Sequence, residues 1–185
     1  MNDPIITFII PTIGRITLQR TINSLLAMND PDWKAIVIFD GIDPTINNTD
    51  SRIKLIKINK TGVSNNAGSI RNIGINLAET QWVGFVDDDD TLRSNYVTNL
   101  KNHIKNNKPD VIIFRMQYIN GMILPSINST EFYVNQVGIS FCFNKDVCVD
   151  RFIPSVTEDF ILLDTFRYKK YKIIISPHIM YNVRY

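Results

Sequence analysis

The chain has 185 residues, 44% of them hydrophobic and 21% charged, with a formal net charge of +2. A chain of this length buries roughly 70% of its unfolded surface in one domain without staples, and so mild a charge excludes the concentrated basic face that nucleic-acid binding uses. Cys142 and Cys148 show no CxxC or Cys/His spacing, which argues against a disulfide framework or a zinc site. No run approaches the roughly 18 apolar residues of a membrane span and no secretory leader is evident, so the expectation is a soluble, cytoplasmic protein.

Residues 5–10 are an apolar run ended by Pro11-Thr12-Ile13-Gly14, which predicts a buried first strand and a loop after it. Leu18, Ile22, Leu25 and Leu26 recur at helical spacing, with Pro31 closing the helix. Residues 35–39 and 53–58 read as second and third strands, the former ending in Asp40-Gly41. Asn65 and Asn66 open a helix whose Ile70, Ile73, Gly74 and Leu77 share one face. It leads into Trp82, Val83, Phe85 and Val86, an unbroken apolar strand suited to cover on both faces. Leu92, Tyr96, Leu100 and Ile104 mark the next helix, stopped before Pro109.

This alternation predicts an α/β fold with a mostly parallel, Rossmann-like central sheet flanked by helices. After residue 118 the pattern changes. Residues 111–118, 121–124, 132–134 and 139–143 are strand-like without helices between them, so the C-terminal half adds mixed or antiparallel strands. Residues 155–167 predict a last helix, opened by the capping-box spacing Ser155-Val156-Thr157-Glu158. A strand at 172–175 and a short tail follow. Arg167, Lys169, Lys170 and Lys172 suit a solvated helix end.

The fourth strand runs into four consecutive aspartates, Asp87 to Asp90. Packed carboxylates repel by roughly 1 kcal/mol or more per close pair, so they call for a positive partner. Hard oxygen donors suit Mg²⁺ or Mn²⁺, and Mg²⁺ usually takes one or two carboxylates plus substrate phosphates. Ligands of open α/β sheets bind beyond the carboxyl ends of the strands, where residues 11–15, Asp40, Arg71 and the aspartates converge. The plainer alternative is an acidic loop in which Asp90 or Thr91 caps the next helix.

Five stretches in order, IIPTIGR at 9–15, IFDGID at 38–43, IRNIGINLA at 70–78, FVDDDD at 85–90 and TEDF at 157–160, resemble the family 2 glycosyltransferases of the GT-A fold. The resemblance spans nearly the whole chain and implies a single domain. Its residues 1–118 would bind a nucleotide sugar, and residues 119–185 would supply the acceptor side and the catalytic base. It implies that Asp40 reads the nucleotide base and that Pro11, Thr12 and Arg15 wrap the nucleotide. Arg71 would approach the diphosphate or the metal-binding carboxylates, Asp87 and Asp88 would contact the nucleotide sugar, and Asp89 would ligate Mn²⁺ or Mg²⁺. Asp159 would be the base of an inverting single displacement that moves sugar from a nucleoside-diphosphate donor, UDP favoured, to an acceptor hydroxyl. His178 is a further candidate metal ligand.

Two other readings compete. Asp87 to Leu92 also satisfies the DxDxT pattern of Mg²⁺-dependent phosphatases, although that motif normally ends a first strand. A nucleotide-sugar-binding module without activity is the other. The donor sugar, the acceptor and the oligomeric state carry no readable motif.

Overall fold

The computed structural model describes residues 3–46, 50–61 and 67–184. Four parallel strands form its first half: β1 (Ile6–Thr12), β2 (Trp33–Asp40), β3 (Ile53–Ile58) and β4 (Trp82–Phe85), ordered β3-β2-β1-β4. The mixed half continues from β4. β8 (Phe141–Asn144) pairs antiparallel to β4 and β6 (Val111–Tyr118) antiparallel to β8, which turns β6 the same way as β4. β9 (Ile173–Val183) lies parallel to β6, and the two-residue strands β5 (Thr91–Leu92) and β7 (Ile123–Leu124) pair with β9 and β6. The α/β fold with a parallel first half and a mixed second half is thus the one expected.

Among the described residues four helices, α1 (Leu18–Leu26), α2 (Ala67–Leu77), α3 (Tyr96–Asn107) and α4 (Glu158–Tyr168), connect these strands. Neighbouring strand residues face opposite ways, and β1 divides the helices accordingly. Ile9 meets Gly74 of α2, where any Cβ would overlap its methyl group, whereas Phe8 meets Tyr96 of α3 edge-on at 5.1 Å. On the α2 side Phe85, Phe143 and Phe152 pack together, and Phe166 of α4 closes on Phe143 at 5.1 Å. Each such ring, fully buried, contributes about 1.5–3 kcal/mol. Among the described residues no helix is long and apolar enough to cross a membrane.

Several boundaries differ from expectation. β1 runs through Pro11 and Thr12 rather than ending before them. β4 stops at Phe85 opposite Ile9, so Pro11 lies beyond the ladder that its missing N–H would interrupt. Residues 132–134 form no strand; Phe132 packs its ring against Phe160 of α4 instead. Leu92 belongs to β5, and α3 begins at Tyr96. The last strand does not stop at 175: Ile175 pairs with Ile113 and Ile179 with Arg115, so a bulge at 176–178 absorbs Pro177 and β9 runs on to Val183. Asn65 and Asn66 lie outside the described residues.

Candidate active site

The carboxyl ends of β1, β2 and β4 and the start of α4 meet at one edge of the sheet. After β1 the chain turns at Gly14, with φ +83°, a conformation that glycine adopts without strain. The Gly14 N–H bonds Thr12 Oγ1 at 2.9 Å, and that hydroxyl donates to Asp88 Oδ2 at 2.6 Å. The turn therefore holds the nucleotide-loop candidates Pro11, Thr12 and Arg15 against the aspartate run. At the end of β2, Asp40 receives the Thr61 N–H at 2.8 Å and the Thr61 hydroxyl at 3.0 Å, one on each oxygen.

The four aspartates are not equivalent. Asp88 and Asp90 are buried. Burial raises the Asp88 pKa against the lowering by Thr12, and pushes Asp90 up to about 7 although the Arg184 N–H bonds its Oδ1 at 2.9 Å. Asp87 and Asp89 reach the surface, with side chains 38% and 21% exposed. Asp89 Oδ2 lies 2.5 Å from Arg15 Nη1, and Asp87 Oδ1 lies 2.5 Å from Arg71 Nη2. The Asp87 N–H donates to the Tyr181 hydroxyl at 3.1 Å. The end of β9, expected to be a tail, thus braces the aspartates.

Arg71 joins this loop to α4. Its Nη1 stands 2.6 Å from Glu158 Oε1 and 3.5 Å from Asp159 Oδ1, while Nη2 holds Asp87. Burial works against its charge, and Asp87, Asp159 and Glu158 more than offset that, so its pKa is raised. Asn72, the next residue of α2, exchanges two 2.9 Å hydrogen bonds with the Phe152 backbone, and this clamp docks the segment leading into α4. The capping box does not form. Ser155 Oγ accepts the Thr157 N–H at 3.2 Å, but Glu158 turns inward to Arg71 and the Gly68 N–H.

Asp159 Oδ1 is buried and has no hydrogen-bond partner among the described residues. Burial raises its pKa to about 6, with Arg71 opposing and Asp87 assisting. A carboxylate with an unused oxygen and a pKa near neutrality can accept a proton. Tyr118, at the end of β6, is a neighbour: its pKa is raised by burial, Asp90 and Asp159.

The structure therefore gathers Pro11, Thr12, Arg15, Asp40, Arg71, Asp87, Asp88, Asp89 and Asp159 at one edge. His178 is not brought there. It lies within the β9 bulge, exposed, with its ring 6.1 Å from that of His103 on α3. Glu158 and Tyr181 were not singled out by sequence. The glutamate beside Asp159 was the available signal, and the capping spacing concealed it.

Among the described residues no three His, Cys, Asp or Glu side chains converge to hold a metal ion by themselves. The donor set nonetheless fits Mn²⁺ or Mg²⁺ arriving with a diphosphate, because Asp87 and Asp89 present hard oxygens at the surface and such ions need only one or two carboxylates.

The model of Glycosyl transferase family 2 matches residues 7–175. The chain belongs to this family. It is 32% identical over 119 residues to the poly(ribitol-phosphate) beta-N-acetylglucosaminyltransferase TarP of Staphylococcus aureus (strain N315), a match covering 58% of this chain and 35% of TarP. It is 29% identical over 117 residues to the uncharacterized glycosyltransferase EpsJ of Bacillus subtilis (strain 168), covering 59% and 33%. The matches thus span about a third of each relative's length.

Residues 1–349 of S. aureus TarS superpose with a TM-score of 0.70 at 18% identity, over 97% of this chain and 60% of that one. The same TarS piece in complex with UDP-GlcNAc superposes equally, over 98% and 58%. At that identity the likeness establishes the GT-A fold. Family membership sets aside the phosphatase reading, whose nucleophile would be Asp87, the carboxylate that Arg71 holds.

Proposed function

We propose that this chain is an inverting glycosyltransferase domain that moves a sugar from a UDP-sugar to an acceptor hydroxyl, with UDP-N-acetylglucosamine as the first donor to try. The observation that carries the reading is the bridge of Arg71 between Asp87 and the Glu158-Asp159 pair, which fixes the aspartate loop and a carboxylate oxygen without a hydrogen bond around one edge of the sheet. The donor choice is supported by the TarS complexes with UDP and UDP-GlcNAc and by the activity in the name of TarP.

In this reading residues 1–118 hold the donor, with Asp40, oriented by Thr61, accepting from the N–H edge of uracil. Residues 119–185 supply the acceptor side and the base. Asp159 takes the acceptor's hydroxyl proton as that oxygen bonds to the anomeric carbon and the bond to the diphosphate oxygen breaks on the opposite face, which inverts the configuration. Arg71 keeps Asp87 and Asp159 in fixed relation. Asp89 with Asp87 would hold Mn²⁺ or Mg²⁺, which supplies positive charge to the departing diphosphate.

The test is a thermal-shift series with UDP, GDP, CDP and dTDP, each with and without Mn²⁺, followed by UDP release from UDP-GlcNAc. UDP with Mn²⁺ at about 100 times its dissociation constant should stabilise by roughly 2.7 kcal/mol, several degrees for a chain of this size. Asp159→Asn should keep that shift and lose UDP release. Stabilisation by none of the diphosphates would overturn the donor reading, and undiminished turnover in Asp159→Asn would overturn the base. Binding without turnover in the wild-type chain would make it a binding module.

A further inference from the structure

Two arginines neutralise the aspartate run, and they are held in opposite ways. Arg71 is 4% exposed and locked among Asp87, Glu158 and Asp159. Arg15 has a side chain 50% exposed, and its ion pairs among the described residues are to Asp89 Oδ2 at 2.5 Å and Asp88 Oδ1 at 3.4 Å. Solvent screens such a pair, so a stronger cation displaces it readily. The surroundings are held by bonds that do not involve its side chain. Gly14 is tied to Thr12 and Thr12 to Asp88, which anchors the turn before Arg15, and Arg20 Nη2 donates to the Asp89 carbonyl at 2.7 Å.

We infer that Arg15 is an exchangeable latch on Asp89. Without ligand its guanidinium occupies the carboxylate. When a nucleoside diphosphate arrives with Mn²⁺ or Mg²⁺, the ion takes Asp89 and the released guanidinium takes a diphosphate oxygen. The inference rests on the proposed donor and metal reading and adds a consequence to it: the ion binds poorly alone and well with the nucleotide, because only the nucleotide gives Arg15 a second anion.

The experiment compares wild type, Arg15→Gln and Arg15→Lys. Mn²⁺ alone is titrated into ligand-free protein by calorimetry, and UDP is titrated with Mn²⁺ present and with chelator. Arg15→Gln should bind Mn²⁺ alone about two- to fivefold more tightly, the strength of one exposed ion pair. It should bind UDP with Mn²⁺ about tenfold more weakly, having lost a charged hydrogen bond. Arg15→Lys, which keeps the charge, should leave the affinity for Mn²⁺ alone at the wild-type value.

Opposite signs for metal and nucleotide are the readout that a merely structural or merely phosphate-binding arginine does not give. Unchanged or weaker Mn²⁺ binding in Arg15→Gln overturns the latch, and so does unchanged UDP binding. If wild type binds UDP under neither condition, the donor reading falls first and the latch with it. Equal melting temperatures of the three proteins, expected for a half-exposed position, show that folding is not the cause.

Discussion

Gly68 and Glu158, 90 positions apart in the chain, are in direct contact: the Gly68 N–H donates to Glu158 Oε2 at 3.1 Å. A Cβ at Gly68 would overlap that oxygen and stand 2.9 Å from Phe152 Cβ. Gly68→Ala therefore pushes Glu158 off the backbone and disturbs its hold on Arg71. Overpacking against both Glu158 and Phe152 costs about 2–3 kcal/mol, and the helix-propensity gain of alanine, about 1 kcal/mol, leaves a net loss of about 1–2 kcal/mol. The expected result in a calorimetric melt is a fall of about 2–8 °C. An unchanged melting temperature would show that the start of α4 yields to the methyl, and would deny Glu158 its part in fixing the site.

The same cluster sets the pH behaviour. Burial raises Asp159 and Glu158 to about 6 each, in both cases against the opposing charge of Arg71. A base works deprotonated, so kcat/KM should rise as pH passes through about 6. Glu158→Gln removes a negative neighbour and leaves more of the Arg71 charge to Asp159; both changes lower the Asp159 pKa, and the acid limb should move to lower pH. Stability runs the other way. A carboxyl whose folded pKa lies above its unfolded value, 3.8 for Asp159, contributes stability that is full below that value and is lost as pH rises through about 6. Asp159→Asn escapes the loss, so it should be more stable than wild type by about 1–3 kcal/mol at pH 8, with the gain shrinking below pH 6. Urea melts at pH 5 and pH 8 check this, and a variant equally destabilised at both would show that burial does not set the Asp159 pKa.

The parallel half of the sheet was legible because its signals are local: apolar runs such as 35–39 end in Asp40-Gly41 or in the aspartates, and the strand ends place the site. What was not legible depends on distant partners. The spacing Ser155 to Glu158 is a sound cap signature, worth about 1 kcal/mol, but a buried guanidinium without its counter-charge costs more, and Arg71 lies 87 positions earlier. The apolar run that predicts a strand at 172–175 ends at Ser176-Pro177, and only the register against β6 shows the bulge that carries β9 on to Tyr181. That bulge is also why His178, near in sequence to the bracing tyrosine, stands beside His103 instead of the aspartates. Residues 132–134 have strand-forming side chains, yet strand propensity is largely a propensity to pack, and Phe132 finds its packing on Phe160.

Thr12 offers the cleanest separation of a hydroxyl from a methyl at this site. Its Oγ1 donates to Asp88 Oδ2 at 2.6 Å and accepts the Gly14 N–H at 2.9 Å, and Thr12 and Asp88 are both buried. Thr12→Val keeps the shape and the strand preference and removes both hydrogen bonds. Asp88, already raised by burial, then loses the larger of the two influences, Thr12 and Arg15, that lower its pKa. The expected cost is about 1–3 kcal/mol. It should be larger at pH 8 than at pH 5, because the lost bond favours the charged carboxylate. Thr12→Ser keeps the hydroxyl and loses the methyl, so it should show a smaller cost with no such pH dependence. Urea melts of the two variants at both pH values decide the matter: equal losses in Val and Ser would mean that Thr12 serves by packing, and that the turn at Gly14 is held to the aspartates by something other than its hydroxyl.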